Sequence, residues 1–356
     1  MNERAKKLVA AMPAGFEAAY IGTEANRFYL LDFDAGDAGH LLVLPNELVY
    51  IIDSRYIEIA QREITDARVV LEEDAMAQLA AELKAAGATR LYLEDGMPIA
   101  GWNRLKGWIP GVEYDVTSTL GDTLVGLRQI KDAEELARMR KAQQITDACF
   151  THILSFIKPG VREIDLMLEM EHFMRSHGAE KLAFDTICVA GPNTSLPHGV
   201  PGEYKVQPGD FITMDFGAKY KGYCADMTRT VALGEPGEEK RKVYDTVLKA
   251  HLAGIEAACA GKTGKDVDKV ARDLIGAAGY AGAFGHGLGH AVGIDVHEDP
   301  RFSPKCADIV RAGMMMTVEP GIYLAGKFGC RIEDMVLITE DGCEPMPTSE
   351  KQLIIL

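Results

Sequence analysis

GDFITMDFGAKYKGYCADMTRTVALG, residues 209–234, reads as two apolar-rich strands around a polar, glycine-containing turn at Lys219–Gly222, the pattern of a β-hairpin. A turn centred between Tyr220 and Lys221 sets Asp215 directly opposite Asp226. Opposed residues share one face of the sheet, with Cβ atoms roughly 4.5–5.5 Å apart. Two bare carboxylates that close in an apolar hairpin repel each other, and one is forced to hold a proton. A divalent cation removes that penalty.

Three further stretches present a metal-ligating side chain. His290 lies in GHGLGHAVGIDVHE (285–298), where glycines permit positive φ and close backbone approach. Glu319 ends the apolar run MMMTVE ahead of Pro320 and Gly321, which places it at a strand end. Glu333 belongs to CRIEDMVLIT (330–339), which reads as one more strand. Singly, each has an ordinary structural explanation: a solvated acid beside a turn, a loop glutamate, a structural histidine. Together, four carboxylates and one imidazole form an oxygen-rich donor set that suits Mn²⁺, with Co²⁺, Fe²⁺ or Zn²⁺ also compatible. Four carboxylates carry too much charge for one ion, so the reading is two.

The motifs DFG (215–217), GYCADMTRT (222–230), GHGLGH (285–290), VHE (296–298), TVEPGIY (317–323) and RIED (331–334) occur in an order and spacing that resembles the prolidase and aminopeptidase P branch of the pita-bread metallopeptidases. The resemblance runs from about Leu127 to the C-terminus. The N-terminal part resembles that branch's creatinase-type accessory domain more loosely. What it implies is an α+β pita-bread catalytic domain, two related halves around a curved antiparallel sheet with the site on its concave face. Asp226 and Glu333 would bridge two metal ions, Asp215 completing one, His290 and Glu319 the other. A hydroxide shared by the ions would attack the peptide bond preceding proline, and Glu319 would pass the proton to the leaving nitrogen. His198, in SLPHGV, and His297 would hydrogen-bond the reacting carbonyl. A homodimer is implied as well. A methionine aminopeptidase-like enzyme is the nearest alternative, opposed by VHE, the N-terminal domain and the chain length. A metal-free creatinase-like hydrolase or binding module is another, opposed by the presence of all five ligands.

Other residues are candidates for the substrate pocket. His286 lies four residues before His290, and three histidines near one site exceed what scatter of the nine in the chain would place there. His297 would point away from Val296 and Glu298 if that segment were a strand. Proline's ring needs an apolar wall, for which Phe184 and Val296 are candidates. Arg331, two positions from Glu333, reads either as an orienting group for the ligands or as a structural salt bridge. Arg301, in HEDPR, is expected on a loop at the pocket mouth. It is a bidentate anchor for a dipeptide's terminal carboxylate or a solvated loop arginine. The first reading, with the compact chain, favours an Xaa-Pro dipeptidase over an aminopeptidase acting on longer peptides. Ala291 stands where the family pattern commonly has glycine, and its methyl would crowd a backbone that needed positive φ. GHGLGHAVG lacks the third glycine of a dinucleotide-binding loop and the βαβ unit that would carry it.

Charge and composition narrow the classes. A net charge of −15 argues against non-specific nucleic-acid binding and against adhesion to anionic membranes. No apolar run approaches the roughly 18–20 residues of a membrane span. Seven scattered cysteines without a CxxC pair indicate free thiols and a cytoplasmic setting. Residues 1–125 alternate strand-like stretches (16–22, 26–33, 40–45, 48–53, 67–72, 90–95) with a helix at 75–87, an α/β layer domain. Beyond a boundary near Val125, residues 126–356 carry long helices at 133–156, 163–177, 237–260 and 265–277, with Asp132 and Glu135 capping the first.

Overall fold

The computed structural model describes Met1–Leu356, the side chain of Trp108 excepted. The chain divides into two compact units, Met1–Arg128 and Gln129–Leu356. Val125, where the sequence pattern changes, lies inside a helix that runs to the end of the first unit.

The first unit is built from β1 (Ala19–Ile21), β2 (His40–Val43), β3 (Leu48–Ile52), β4 (Arg68–Leu71), β5 (Arg90–Leu93) and β6 (Glu113–Asp115), in the order β4-β3-β2-β1-β5-β6. Its helices are α1 (Glu3–Ala11), α2 (Glu24–Leu31), α3 (Ile57–Glu63), α4 (Ala75–Ala85), α5 (Ile99–Trp108) and α6 (Thr119–Gln129). The crossovers through α3 and α5 join the parallel pairs β3–β4 and β5–β6. Leu79, Leu83, Leu105 and Ile109 of the helical layer close over Leu42, Val49, Ile51, Leu91 and Leu93 of the sheet. NRFYLLDF, expected as a strand, is instead most of α2. Every residue from Ala25 to Leu31 is buried, so the run has no polar face whose period would reveal a helix. It stops at Asp32, which takes φ 53°.

The second unit opens with α7 (Ala133–Ile153), whose Asp132 and Glu135 form a reciprocal capping box, and α8 (Glu163–Ser176). Then come β7 (Lys181–Leu182), β8 (Ile187–Ala190), β9 (Phe211–Phe216), β10 (Ala218–Tyr220), β11 (Tyr223–Cys224) and β12 (Met227–Ala232). A second helix pair, α9 (Glu238–Ala257) and α10 (Gly264–Ile275), precedes β13 (Gly289–Ala291), β14 (Glu298–Phe302), β15 (Met315–Val318), β16 (Gly321–Leu324), β17 (Phe328–Arg331), β18 (Asp334–Ile338) and β19 (Cys343–Pro345). Two cores result. Phe150, Met170 and Met174 pack on Met214, Phe216 and Val231 in one, and Tyr244, Val247 and Ala271 pack on Met316, Val318 and Val336 in the other. Each half is a helix pair backing antiparallel strands, β8–β9–β12 in the first and β13–β15–β18 in the second.

The hairpin turn sits one residue later than expected, which moves each cross-strand partner by two residues. Lys221 and Gly222 take φ 45° and 81°, so they form the two central positions of a tight turn that needs positive φ at both. Tyr220 then pairs with Tyr223, and Asp215 pairs with Thr228 rather than Asp226. The same register continued from Phe216–Met227 sets Asp226 opposite Gly217. Asp215 and Asp226 therefore share a face as diagonal neighbours, not as an opposed pair. RIED is also not one strand. β17 ends at Arg331, β18 begins at Asp334 in a different sheet, and Glu333 sits at the break.

Candidate active site

A cavity of about 340 Å³ gathers every candidate ligand and pocket residue read from the sequence, together with Ile187, Pro197, Gly287, Gly289 and Ser303. Each ligand candidate arrives from a different backbone segment. Asp215 is on β9, Asp226 just before β12, His290 in the middle of β13, Glu319 one residue past β15 and Glu333 between β17 and β18. Ligating atoms of Asp226, His290 and Glu333 lie within 4.8 Å of one another, and all three residues are buried.

The protonation pattern tests whether a cation fits. His290 Nδ1 is 3.0 Å from the Ala291 carbonyl, which makes Nδ1 the donor. Burial drives the imidazole pKa down to about 3, so the ring is neutral. Nε2 then carries a lone pair aimed at Asp226 Oδ2, 3.6 Å away, and Glu319 Oε1, 3.4 Å away. Without a cation one of the facing carboxyls must hold a proton, and a positive ion between the three groups removes that need. Burial and neighbouring carboxylates push Asp226 and Glu333 well above the usual carboxylate range. Burial pushes Glu319 to about 8. Asp215 Oδ1 is buried without a hydrogen-bond partner. The donor set fits divalent cations.

A polar shell holds these candidate ligands. Thr228 Oγ1 donates to Glu333 Oε2 at 2.7 Å. Thr317 Oγ1 accepts from His290 N and donates to Glu319 Oε1 at 3.2 Å. Arg331, 3% exposed, spends its guanidinium on Asp215 Oδ2 (2.6 Å), Tyr323 OH (2.8 Å), Thr228 Oγ1 (3.0 Å) and the Pro197 carbonyl (3.2 Å). It is at once a buried salt bridge and a brace for one ligand. Tyr323 and Thr228 had no reading of their own in the sequence. Thr228 is found only once the true register sets it opposite Asp215, and Tyr323 only once β16 folds against β17.

The remaining candidates differ in how free they are. His286 has both nitrogens engaged, Nδ1 with the Gly287 carbonyl at 2.8 Å and Nε2 with Tyr323 OH at 3.0 Å. Burial lowers its pKa to about 4. His297 packs edge-on against the His290 ring at a 4.5 Å centroid distance. Residues 293–297 form a bend, not a strand, so His297 and Val296 both face the cavity instead of opposite sides. Arg301 is not on a loop. It belongs to β14 and pairs across from His290. Pro300, just before Arg301, is accommodated because β14 is a sheet edge, where proline is tolerated. The Arg301 side chain is 44% exposed and only 3.6 Å from Asp299.

Gly287 and Gly289 act through close approach and not through positive φ. Gly289 and Gly287 have ordinary φ, and a Cβ on Gly289 would lie 2.0 Å from the Thr317 carbonyl oxygen. Ala291, on β13, also has ordinary φ and carries no strain.

Comparison with known proteins agrees with this geometry. The model of metallopeptidase family M24 matches residues 137–340, and that of the creatinase/prolidase N-terminal domain matches residues 4–129. A Pyrococcus horikoshii protein named Xaa-Pro dipeptidase is 33% identical over 356 residues, covering 99% of each chain. The solved structure of an Xaa-Pro dipeptidase from Bacillus anthracis superposes with a TM-score of 0.94 at 39% identity, covering 99% of each chain. An X-Pro aminopeptidase from Thermotoga maritima gives a TM-score of 0.92 at 34% identity, covering 99% of this chain and 100% of the other.

Proposed function

Since the chain belongs to metallopeptidase family M24 and carries a creatinase/prolidase N-terminal domain, we propose that it hydrolyses the peptide bond preceding proline at a peptide N-terminus, with Xaa-Pro dipeptides as its preferred substrates. The observation that carries this reading is the neutral His290, whose lone pair faces buried carboxylates across one cavity wall. Asp226 and Glu333 would serve both of two divalent cations, Asp215 one of them, and His290 and Glu319 the other. Manganese suits this oxygen-dominated set best. When bound, the two cations supply Lewis acidity and make water a competent nucleophile at neutral pH.

The chain's own groups do the rest. Glu319 accepts a proton from the attacking water and returns it to the leaving nitrogen. His198 and His297, both on the cavity wall, donate hydrogen bonds to the carbonyl oxygen as charge develops there. Arg331 fixes the Asp215 carboxylate through a 2.6 Å ion pair. Phe184 and Val296 form the apolar wall for the proline ring, with the His286 ring beside them. Arg301, opposite His290 and paired only with the exposed Asp299 at 3.6 Å, grips the terminal carboxylate of a dipeptide. Free thiols at all seven cysteines fit a reducing, cytoplasmic setting, and a homodimer is the assembly carried over from the family resemblance. The test is cleavage of Xaa-Pro dipeptides and of longer Xaa-Pro peptides after stripping and reloading with Mn²⁺, Co²⁺ or Zn²⁺. Metal-dependent cleavage of the dipeptides is expected. Activity that survives stripping, or turnover of N-terminal methionine peptides in place of Xaa-Pro ones, would overturn the reading.

A further inference from the structure

Glu163 is a carboxylate, 1% exposed, at the first position of α8, and no step above uses it. Its three hydrogen bonds all go to the segment that carries His198. Oε1 accepts from Ala190 N at 2.6 Å and from Asn193 Nδ2 at 3.0 Å, and Oε2 accepts from Gly202 N at 3.1 Å. The backbone adds two bonds beside it, Ile164 N to the Gly202 carbonyl and Glu163 N to the Tyr204 carbonyl. One carboxylate thus closes both feet of the loop between residues 190 and 202. Between these feet Gly329 N donates to Thr194 Oγ1 and Gly199 N to the Leu196 carbonyl, and neither bond reaches the His198 side chain. Leu196 and Val200, on either side of His198, are 56% and 85% exposed, so no apolar packing fixes them. Among the described residues the His198 ring makes no hydrogen bond, and the nearest brace is Arg331 Nη1 on the Pro197 carbonyl. Where the imidazole sits is therefore decided by the loop backbone.

We propose that Glu163 is a positioning residue that acts through His198, fixing the loop so that the imidazole stands over the reacting carbonyl. The proposal rests on the assignment of His198 above. A carboxylate is required because both of its oxygens must accept. In Glu163→Gln the amide nitrogen would meet a backbone N–H, which releases one foot of the loop and leaves the other attached. A buried N–H left unsatisfied favours an open loop.

The experiment is a double-mutant cycle on the metal-loaded enzyme with E163Q, H198A and the pair, alongside calorimetric metal titration of each stripped protein. E163Q is expected to lower kcat about tenfold to hundredfold, the scale of misplacing a group by an ångström. Its KM and metal affinity should stay within about twofold of the parent. The pair should be no slower than H198A alone, because a misplaced group that is absent costs nothing more. Additive losses, metal affinity falling with activity, or parental kcat in E163Q would overturn the proposal. Parental kcat in H198A would remove the role of His198 itself, and this inference with it. If E163Q fails to fold, Asn193→Ala removes only the loop-side bond and should lower kcat about threefold, again with no further loss when combined with H198A. An additive or absent effect there overturns it equally.

Discussion

Asp226 and Glu333 carry charges that the cavity penalises when no cation is bound, because burial and neighbouring carboxylates both favour their protonated forms. A substitution can therefore move stability and metal binding in opposite directions. Asp226→Asn should abolish activity and lower bound metal, yet raise the melting temperature of the stripped protein by a few degrees, about the effect of 1 kcal/mol. Calorimetry on stripped and reloaded samples reads both, and a stripped variant that melts below the parent would contradict the repulsion argument. Arg301 is different, since its guanidinium is committed to no buried partner. Arg301→Ala should raise KM for Xaa-Pro dipeptides about tenfold or more, the loss of a charge-assisted pair. Tripeptides beginning Xaa-Pro should be nearly unaffected, and equal loss on both would reject the anchor.

At the scale of elements, the site depends on how closely β13 approaches β15. Gly289 has no room for a side chain: its Cβ would lie 2.0 Å from Thr317 O and 2.9 Å from Thr317 Oγ1. That threonine also holds His290 and Glu319. Gly289→Ala should cost about 3 kcal/mol or more through strand displacement. Gly285, in the same glycine-rich stretch, has ordinary φ and nothing within 4 Å. Gly285→Ala should change stability by less than about 0.5 kcal/mol. Paired thermal melts decide the matter, and similar losses in both would mean that the glycines serve chain flexibility and not strand contact. The hairpin teaches a related point. Alternation identified its strands, but the register was set by which two residues tolerate positive φ, and Lys221 doing so is not apparent from residue type.

For the molecule as a whole, metal and pH are coupled through the cage. Glu319 is held near 8 in the stripped fold, above the usual value of 4.5, and Asp226 and Glu333 are raised as well. The folded state then binds more protons than the unfolded one between these limits, so stripped-protein stability falls as pH rises through that window. Bound cations remove the penalty. The gap in melting temperature between loaded and stripped protein should therefore widen from pH 6 to pH 8, readable by calorimetry at fixed ionic strength. A gap that narrows would reverse the assignment of these carboxyls as the raised groups. Acid on the fully buried Asp334 acts the opposite way. Hydrogen bonding with His251 and the charge of Arg229 hold its carboxyl low, so its contribution is present at neutral pH and lost as pH falls below the ordinary carboxylate range.

The sequence alone picked out the five candidate ligands and their order, because residue chemistry and apolar alternation are local, but it read Glu333 inside a strand where the chain breaks between two. It also exposed the α7 capping box, since Asp132 and Glu135 are neighbours in the chain. It misread α2, whose uniformly buried surface has no visible period. Only the tertiary structure decided which groups meet. Thr228 reaches Glu333 across 105 positions and Arg331 reaches Asp215 across 116. Glu163 holds both feet of a loop 27 to 39 positions away. No local pattern encodes such pairs. They are selected when two separate cores pack and each buried charge must find a partner, and the polar shell of the site is the outcome of that selection.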